Sequence, residues 1–368
     1  MNTISLCMIV KDEEKVLERA LINARIYADE IIIVDTGSTD STKQIASKYT
    51  DKIYDFDWCD DFSKARNFAF QQATCDYLMW LDADDIVPDK TANYICTLKQ
   101  DMTSDVYMLK YESNFRKNGE ATFSYFRERI IRNCKNAKWE GCVHECITPF
   151  GKVERVNFGI EHHSIKTSIS RRNLDIYLKQ SKIRALNPRE MYYFGRELYD
   201  HKKYRLCIKT LKQFVQSNKG WLENNIDACF LISLCYLQLN NPDKQLEYLL
   251  KTFYYDTPRA NICYFIGNYF FDKNNYDMSI YWYKLSLSCK DVTEKGGFVQ
   301  KDYYGYLPHI QLCVTYFKLN NIKDSYLHNE KAGEFYNSET VQNNRKYFET
   351  NYKEIIAQLK DNSNNKIL

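Results

Sequence analysis

The sequence predicts an α/β domain followed by an all-α domain of helical repeats, and three observations carry that expectation. The first stretch, roughly 90 residues, alternates short β-type runs with helical patterns, the mark of βαβ units whose helices cover a parallel sheet. From about Ile169 the β pattern stops, and amphipathic helices alternate with short breaks of Asn, Asp and Lys. Within that second part a small residue recurs at a fixed distance before each of several helix starts. A chain of 368 residues has room for two separate cores.

Ile4 to Val10 reads as the first strand. Glu14 to Arg25 reads as its crossover helix, because Val16, Leu17, Ala20, Leu21 and Ala24 fall at i, i+3, i+4 spacing with charges between them. Glu30 to Val34 is a second buried strand running into Asp35-Thr36-Gly37-Ser38-Thr39-Asp40, where the glycine supplies a turn and Ser, Thr and Asp cap the next helix. Further strands are expected near Lys52 to Phe56 and Tyr77 to Leu81, then at Val106 to Tyr111, Arg129 to Arg132 and Val156 to Glu161. The expected division is an α/β domain over 1–168, a connecting helix over 169–189, repeats over 190–360 and a disordered tail over 361–368.

Gly195, Ser233, Gly267 and Cys313 each stand nine positions before the residue that opens a second helix, namely Tyr204, Pro242, Tyr276 and Ile322. The first three are 38 and 34 residues apart, close to the 34-residue period of tetratricopeptide helix pairs. The fourth follows after 46, across Gly296-Gly297. These units resemble tetratricopeptide repeats, with the family's Trp and Pro positions poorly kept. Such stacks bury a continuous core and expose a concave face suited to an extended peptide, or to homodimer formation. Most of the thirty tyrosines serve ordinary helix packing in this reading.

Charge and cysteine content exclude several classes. The 51 basic and 48 acidic residues are interspersed, for a formal net charge of +3, so no basic stripe exists to read a phosphate backbone and no nucleic-acid partner is expected. Thirteen scattered cysteines without a CxxC pair suit reduced thiols and a cytoplasmic location. The apolar run Ile4 to Val10 is short and meets Lys11-Asp12-Glu13-Glu14 at once, so it reads as neither signal peptide nor anchor. No later stretch approaches the roughly 20 apolar residues of a membrane span.

In an open parallel sheet, ligands bind where the carboxyl ends of the strands converge. Asp35 ends the second strand, Asp61 and Arg66 follow the third, and Asp82-Ala83-Asp84-Asp85 ends the fourth. No GxGxxG or GxxxxGK[ST] loop is present, which argues against a dinucleotide enzyme or a P-loop NTPase. An Asp-x-Asp at a buried strand end offers hard oxygens through which a divalent cation bridges to a diphosphate. Isolated, it would read as an acidic turn capping a helix; after Leu78-Met79-Trp80-Leu81 the first reading is favoured.

Four segments in fixed order then become specific: Cys7-Met8-Ile9-Val10-Lys11-Asp12-Glu13-Glu14, Asp29 to Asp40, Asp61-Phe62-Ser63-Lys64-Ala65-Arg66-Asn67, and Leu81-Asp82-Ala83-Asp84-Asp85. Over about residues 3–165 they resemble family 2 glycosyltransferases of the GT-A fold. With the repeats, the chain is similar to the bacteriocin (sublancin-type) peptide S-glycosyltransferases. The resemblance implies a UDP-sugar donor lying near Val10, Asp35, Asp61, Arg66, Asp82 and Ala83. Asp35 would accept hydrogen bonds from the uracil or ribose, and Arg66 would lie near the base or diphosphate. Asp84 would be the main ligand of Mn²⁺ or Mg²⁺, and Asp82 would reach the ribose, or the metal through water. On the residues alone, Asp35 and Asp40 also serve as helix caps, and Arg66 as a surface partner of Asp61.

Trp139-Glu140-Gly141-Cys142-Val143-His144-Glu145 resembles the family's segment beside the acceptor. Inversion by direct displacement needs one base to take the acceptor proton; Glu145 is the first choice and His144 the alternative, the family more often having Asp here. His162-His163 ends the last strand, and His162 would offer an imidazole to the metal, a donor that suits Mn²⁺ better than Mg²⁺. The bland reading is two histidines hydrogen-bonded at an interface. Arg129 and Arg132 alternate along a strand, for phosphate contact or plain solvation. Cys134, Cys142, His144 and Cys146 have a spacing that fits no usual zinc knuckle.

The sequence thus reads as an inverting transferase moving a hexose from a UDP-sugar to a Cys or Ser/Thr side chain of a peptide or protein held on helical repeats. A cell-envelope saccharide or lipid-linked glycan is the alternative acceptor. The non-enzymatic alternative is a repeat scaffold with a decayed transferase domain, against which intact Asp35, Arg66, Asp82, Asp84 and Glu145 count.

Overall fold

Continuous apolar runs in the first part of the chain become strands buried on both faces. In the computed structural model, which describes residues 1–165 and 170–364, β1 (Ile4–Val10), β2 (Glu30–Asp35), β3 (Ile53–Asp55) and β4 (Tyr77–Trp80) run parallel in the order β3-β2-β1-β4. Ile4, Leu6 and Met8 pack with Ile31, Ile33, Tyr77 and Met79 on one face. Cys7, Ile32, Val34, Leu78 and Trp80 pack on the other, with Ala69 and Phe70 of a covering helix and with Trp139. Burying each large apolar side chain contributes about 1.5–3 kcal/mol, so this alternation pins the register.

The expected crossover helix is two short pieces, α1 (Leu17–Ile22) and α2 (Ala24–Tyr27), broken at Asn23, whose Nδ2 donates to the Val87 carbonyl (3.1 Å) and to Asp89 (3.0 Å). α3 (Thr42–Ala46) and α4 (Phe62–Gln71) follow β2 and β3. Beyond β4 come β5 (Asp85–Ile86) and α5 (Asp89–Leu98). The sheet then turns antiparallel through β7 (Ala121–Arg132) and β6 (Val106–Phe115), and closes with β10 (Val153–His162) and β5. β6 and β7 are longer than the sequence suggested, because their outer halves mix polar with apolar residues. A small ribbon, β8 (Trp139–Glu140) with β9 (Cys146–Ile147), precedes β10.

The chain divides into two compact units, Met1–Lys202 and a second beginning at Lys203. α6 (Arg172–Ile183), expected as a connection, and α7 (Pro188–Asp200) therefore fall in the first unit. The boundary expected at 168/169 lies outside the described residues. α7 opens on a capping box, with Asn187 accepting from the Glu190 N–H and Glu190 accepting from the Asn187 N–H, both at 2.9 Å.

The second unit contains α8 (Tyr204–Gln216), α9 (Leu222–Gln238), α10 (Pro242–Lys251), α11 (Ala260–Asp272), α12 (Tyr276–Ser288), α13 (Tyr306–Lys318), α14 (Ile322–Phe335), α15 (Glu339–Asn351) and α16 (Lys353–Asn364). The helices expected to open at Tyr204, Pro242, Tyr276 and Ile322 do so. Three of the breaks share one chemistry. Asn240, Asn274 and Asn320 take left-handed φ of 52°, 56° and 56°, which ends one helix. Asn241, Asn275 and Asn321 then cap the next by accepting from the N–H of Lys244, Met278 and Asp324. Residues 361–364 of the expected tail are helical, and 365–368 lie outside the described residues. Among the described residues no helix is long and apolar enough to cross a membrane.

Candidate active site

A cavity of about 560 Å³ opens in the first unit at the carboxyl edge of β1 and β4. Its wall combines Val10 to Glu13 and Thr36, Trp58, Phe62 and Arg66, Asp82-Ala83-Asp84, Arg127, Val143-His144-Glu145, and Arg172 with Asn173. The loops after β1 and β2 are tied together: the Asp12 N–H donates to Ser38 Oγ (3.0 Å), and the Thr39 N–H to Asp12 Oδ1 (2.7 Å).

Arg66 is the hub. Its Nη2 donates to Asp82 Oδ1 and its Nε to Glu145 Oε1, both at 2.6 Å, while the guanidinium lies 4.9 Å and 4.8 Å from the rings of Trp80 and Trp139. Burial works against its charge, but Asp82 and Glu145 outweigh that and raise its pKa further. Burial likewise opposes the Asp82 charge, yet Arg66, Arg129 and Arg127 hold that carboxyl down at about 2. Arg66 is thus a buried organiser and not a surface partner of Asp61.

The acidic loop is braced from below by Asp85, which the sequence did not single out. Fully buried, Asp85 accepts from Arg129 Nη1 (3.0 Å), the Tyr111 hydroxyl (3.0 Å) and the Asp82 N–H (3.1 Å), and its Oδ1 lies 3.2 Å from His162 Nδ1. Asp84, Asp85 and His162 are the one group of three or more His, Cys, Asp or Glu among the described residues whose ligand atoms lie within 4.8 Å of one another. Burial, then Asp82 and Asp85, raise the Asp84 pKa, while His162 opposes. Burial lowers the His162 pKa, but Asp85, Asp84 and Asp82 raise it on balance. Asp82 is held by Arg66 and Asp85 by Arg129, which leaves Asp84 with His162 to offer an oxygen and an imidazole nitrogen to a divalent cation, a donor set that fits the role. Asp85 is committed to Arg129 and Tyr111.

His144 adopts a left-handed φ of 51°, a twist that lets both His144 and Glu145 line the cavity where an extended strand would send them to opposite sides. Its Nε2 lies 2.8 Å from Glu197 Oε1 of α7, and its ring stacks on Tyr193 with centroids 4.5 Å apart. Asn173 Nδ2 donates to the same Glu197 oxygen (3.1 Å), and Arg189 Nη2 to the His144 carbonyl (3.1 Å).

Other expected site residues fall elsewhere. Asp61 is outside the cavity lining and caps α4, accepting from the Lys64 N–H (3.2 Å) and Ser63 hydroxyl (2.7 Å). Asp35 is fully buried and also outside the lining, although its strand partner Val10 and its neighbour Thr36 belong to it. Its Oδ1 accepts from the N–H groups of Gly37 (2.9 Å) and Ser38 (2.8 Å), and its Oδ2 has no partner. Arg129, read as solvated or phosphate-contacting, is instead buried against Trp80, 3.7 Å from its ring, and Arg132 pairs with Asp105. The cationic cavity residue of that strand is Arg127. His163 pairs with Glu161, stacks on Phe115, and fixes the acidic loop through its N–H to the Asp84 carbonyl (3.0 Å). Cys134, Cys142, His144 and Cys146 form no metal-binding group among the described residues, and all thirteen cysteines are free.

Residues 5–155 match the profile of Glycosyl transferase family 2. The segment that resembles family 2 glycosyltransferases thus lies within the first unit, ahead of the paired helices of the second. The chain is similar to the SPbeta prophage-derived glycosyltransferase SunS of Bacillus subtilis, 26% identical over 261 residues that make up 65% of this chain and 60% of that protein. A TPR repeat-containing protein of Synechococcus elongatus is 35% identical over 148 residues, 40% of this chain and 36% of that one. Among solved structures, S. aureus TarS 1-349 in complex with UDP has 16% identity over 68% of this chain and 91% of that chain, with a TM-score of 0.40. The matched segments span less than two thirds of the length of both curated relatives.

Proposed function

We propose that the chain transfers a hexose from a UDP-sugar, with inversion, to a Cys or Ser/Thr side chain of a peptide or protein, with a divalent cation at Asp84 and His162. The observation that carries this reading is the cavity itself, where Val10, Arg66, Asp82-Ala83-Asp84 and His144-Glu145 come from separate segments of the family 2 domain to one concave site. Bound there, Mn²⁺ or Mg²⁺ would offset charge on the departing diphosphate. Asp35 is buried behind the cavity wall, and its strand partner Val10 and neighbour Thr36 are the positions there that would meet the donor's base or ribose. Arg66 keeps Asp82 ionised and holds both Asp82 and Glu145 in place. The acceptor heteroatom attacks the anomeric carbon opposite the UDP leaving group and gives up its proton to a side chain of the cavity wall. The helical repeats of the second unit supply the surface for an extended acceptor.

The test is mass spectrometry of Cys- and Ser-containing peptides incubated with several UDP-sugars, in which the mass increment names the sugar and the fragments name the acceptor residue. Release of UDP from a UDP-sugar without acceptor is the simpler companion. A chain that neither binds UDP nor releases it from any UDP-sugar would sink the proposal.

A further inference from the structure

The geometry points to His144 as the group that takes the acceptor proton, and to Glu197 of α7 as the residue that holds His144 in its basic tautomer; the inference rests on the transfer reading above. Glu197 lies beyond the segment matched by the family profile, and no sequence motif marks it.

Glu145 is poorly placed for the task. Its Oε1 is 2.6 Å from Arg66 Nε, and both side chains are about nine-tenths buried. That oxygen is taken up by a buried guanidinium, and turning the carboxylate toward an acceptor would break the pair. His144 has the opposite arrangement. Its Nε2 meets the Glu197 carboxylate, so Nε2 carries the hydrogen and donates it, and the lone pair falls on Nδ1, which has no hydrogen-bond partner among the described residues. The side chain lines the cavity and is one-third exposed, open to an incoming acceptor.

Glu197 is itself well held, its side chain only 8% exposed, with Asn173 donating to the same oxygen. Burial pushes its carboxyl pKa up, but the His144 hydrogen bond, the His144 charge and Asn173 outweigh that and lower it, so the group is an anion able to stabilise an imidazolium. The Tyr193 ring, stacked on His144 at an interplanar angle of 15°, fixes the plane. Such an orienting carboxylate selects the tautomer and stabilises the charge that forms, without itself taking the proton.

The step balances as follows. The acceptor's S–H or O–H proton passes to His144 Nδ1, and the heteroatom lone pair forms the bond to the anomeric carbon. The bond from that carbon to the diphosphate oxygen breaks, and UDP leaves with the electron pair. Imidazolium then returns its proton to solvent. The charged and titratable groups around the ring are Glu197, Asp200, His201, Arg189 and Tyr193 of α7 and its cap, Arg172 and Tyr177 of α6, and Glu145 on its own loop.

The test uses the full chain with Mn²⁺ and with UDP-glucose, UDP-galactose and UDP-N-acetylglucosamine as probes. UDP release with water as acceptor is followed against pH, and UDP affinity is measured by calorimetry on the same samples. E197Q retains the shape and an acceptor for Nε2 but loses the charge. It should keep wild-type UDP affinity, lose at least about tenfold in turnover, and displace the acid limb of the pH profile, because the charge beside the imidazole is gone. H144Q should remove that limb, and E145Q should leave it in place. Wild-type turnover and an unmoved limb in E197Q would overturn the inference, as would a limb that moves with E145Q instead. A wild-type chain that binds no UDP, or binds it without releasing UDP from any probe, overturns the transfer reading and this inference with it.

Discussion

Arg66 donates from Nε to Oε1 of Glu145 at 2.6 Å, joining helix α4 to a loop 79 residues away in sequence, and its Nη2 holds Asp82 at the same distance. This pairing makes Glu145 a structural partner first. Glu145→Ala should destabilise the first unit by about 3–5 kcal/mol, because it leaves a buried guanidinium with one counter-charge. Glu145→Gln should cost about 1–3 kcal/mol, since the amide oxygen still accepts from Nε. Urea unfolding checks both, and a cost below about 0.5 kcal/mol for the alanine variant would mean that water compensates Arg66.

Asp84→Ala should abolish metal-dependent donor binding while leaving the fold intact. Asp84 is half-buried at a loop end and fills no core position, whereas its neighbour Asp85 is fully buried and ties the loop to Arg129. UDP affinity, measured by calorimetry, should become insensitive to Mn²⁺ in the variant. If chelation leaves wild-type turnover unchanged, the cation has no part in the reaction.

Glu30 ties the opening of β2 to the rest of the sheet, accepting from Lys52, from Ser5 Oγ and from the Thr74 N–H and hydroxyl (both 2.9 Å). Burial raises its pKa, but these partners hold it down at about 2, against an unfolded value of about 4.3. A depressed carboxyl pKa contributes stability that is fully present above the unfolded value and is lost as pH falls through the folded one. The first unit should therefore lose about 2–3 kcal/mol between pH 5 and pH 2 through this group, and Glu30→Gln should flatten that part of the acid unfolding profile. An unchanged profile in the variant would show that other carboxylates carry the acid sensitivity.

What was legible follows from how locally each feature is determined. The helix starts at Tyr204, Pro242, Tyr276 and Ile322 could be read because three of the breaks are made by adjacent asparagines, one in a left-handed conformation and one capping. The carboxyl-edge positions of Val10, Asp35 and Asp82 could be read because buried parallel strands leave a two-sided apolar run that ends where the site begins. Pairings across long separations left no such trace. Asp85 looked like one more acidic loop residue until Arg129 and Tyr111 were seen against it. Arg129 looked solvated because alternation implied an open face, and that face is closed by the Trp80 ring. Glu197 sits in a helix whose pattern announces packing only.

Gly267 should not tolerate a methyl group. A Cβ there would lie 2.5 Å from Cε1 of Tyr283, a fully buried ring whose hydroxyl donates to Asn268 Oδ1 (2.7 Å). The small residue of this repeat thus lets α12 lie close on α11. Gly267→Ala should destabilise the second unit by about 1–3 kcal/mol despite alanine's better helix propensity. A thermal melt with equal or greater stability would mean that Tyr283 moves aside freely.

Two shortened chains should behave differently. One ending at Lys202 retains α6 and α7, and one ending at Lys166 does not. The family 2 motifs all precede Lys166, so motif content alone assigns donor binding equally to both. Packing does not. The shorter chain loses Arg172 and Asn173 from the cavity wall, the Tyr177 hydroxyl that donates to the Val143 carbonyl (3.1 Å), and the Arg189 and Glu197 contacts that hold His144. It also uncovers the apolar surface beneath Leu174, Ile176 and Tyr177, all buried in the first unit. The chain ending at Lys202 should unfold cooperatively, bind UDP with near-wild-type affinity and release UDP from a UDP-sugar, while losing most transfer to the natural acceptor. The chain ending at Lys166 should melt at lower temperature and lose UDP release even where some UDP binding survives. Circular dichroism and calorimetry on the same samples distinguish loss of fold from loss of chemistry. Equal turnover from the two chains would remove α6 and α7 from the catalytic unit, and full-rate modification of the natural acceptor by the chain ending at Lys202 would leave the repeats a role in assembly instead of recognition.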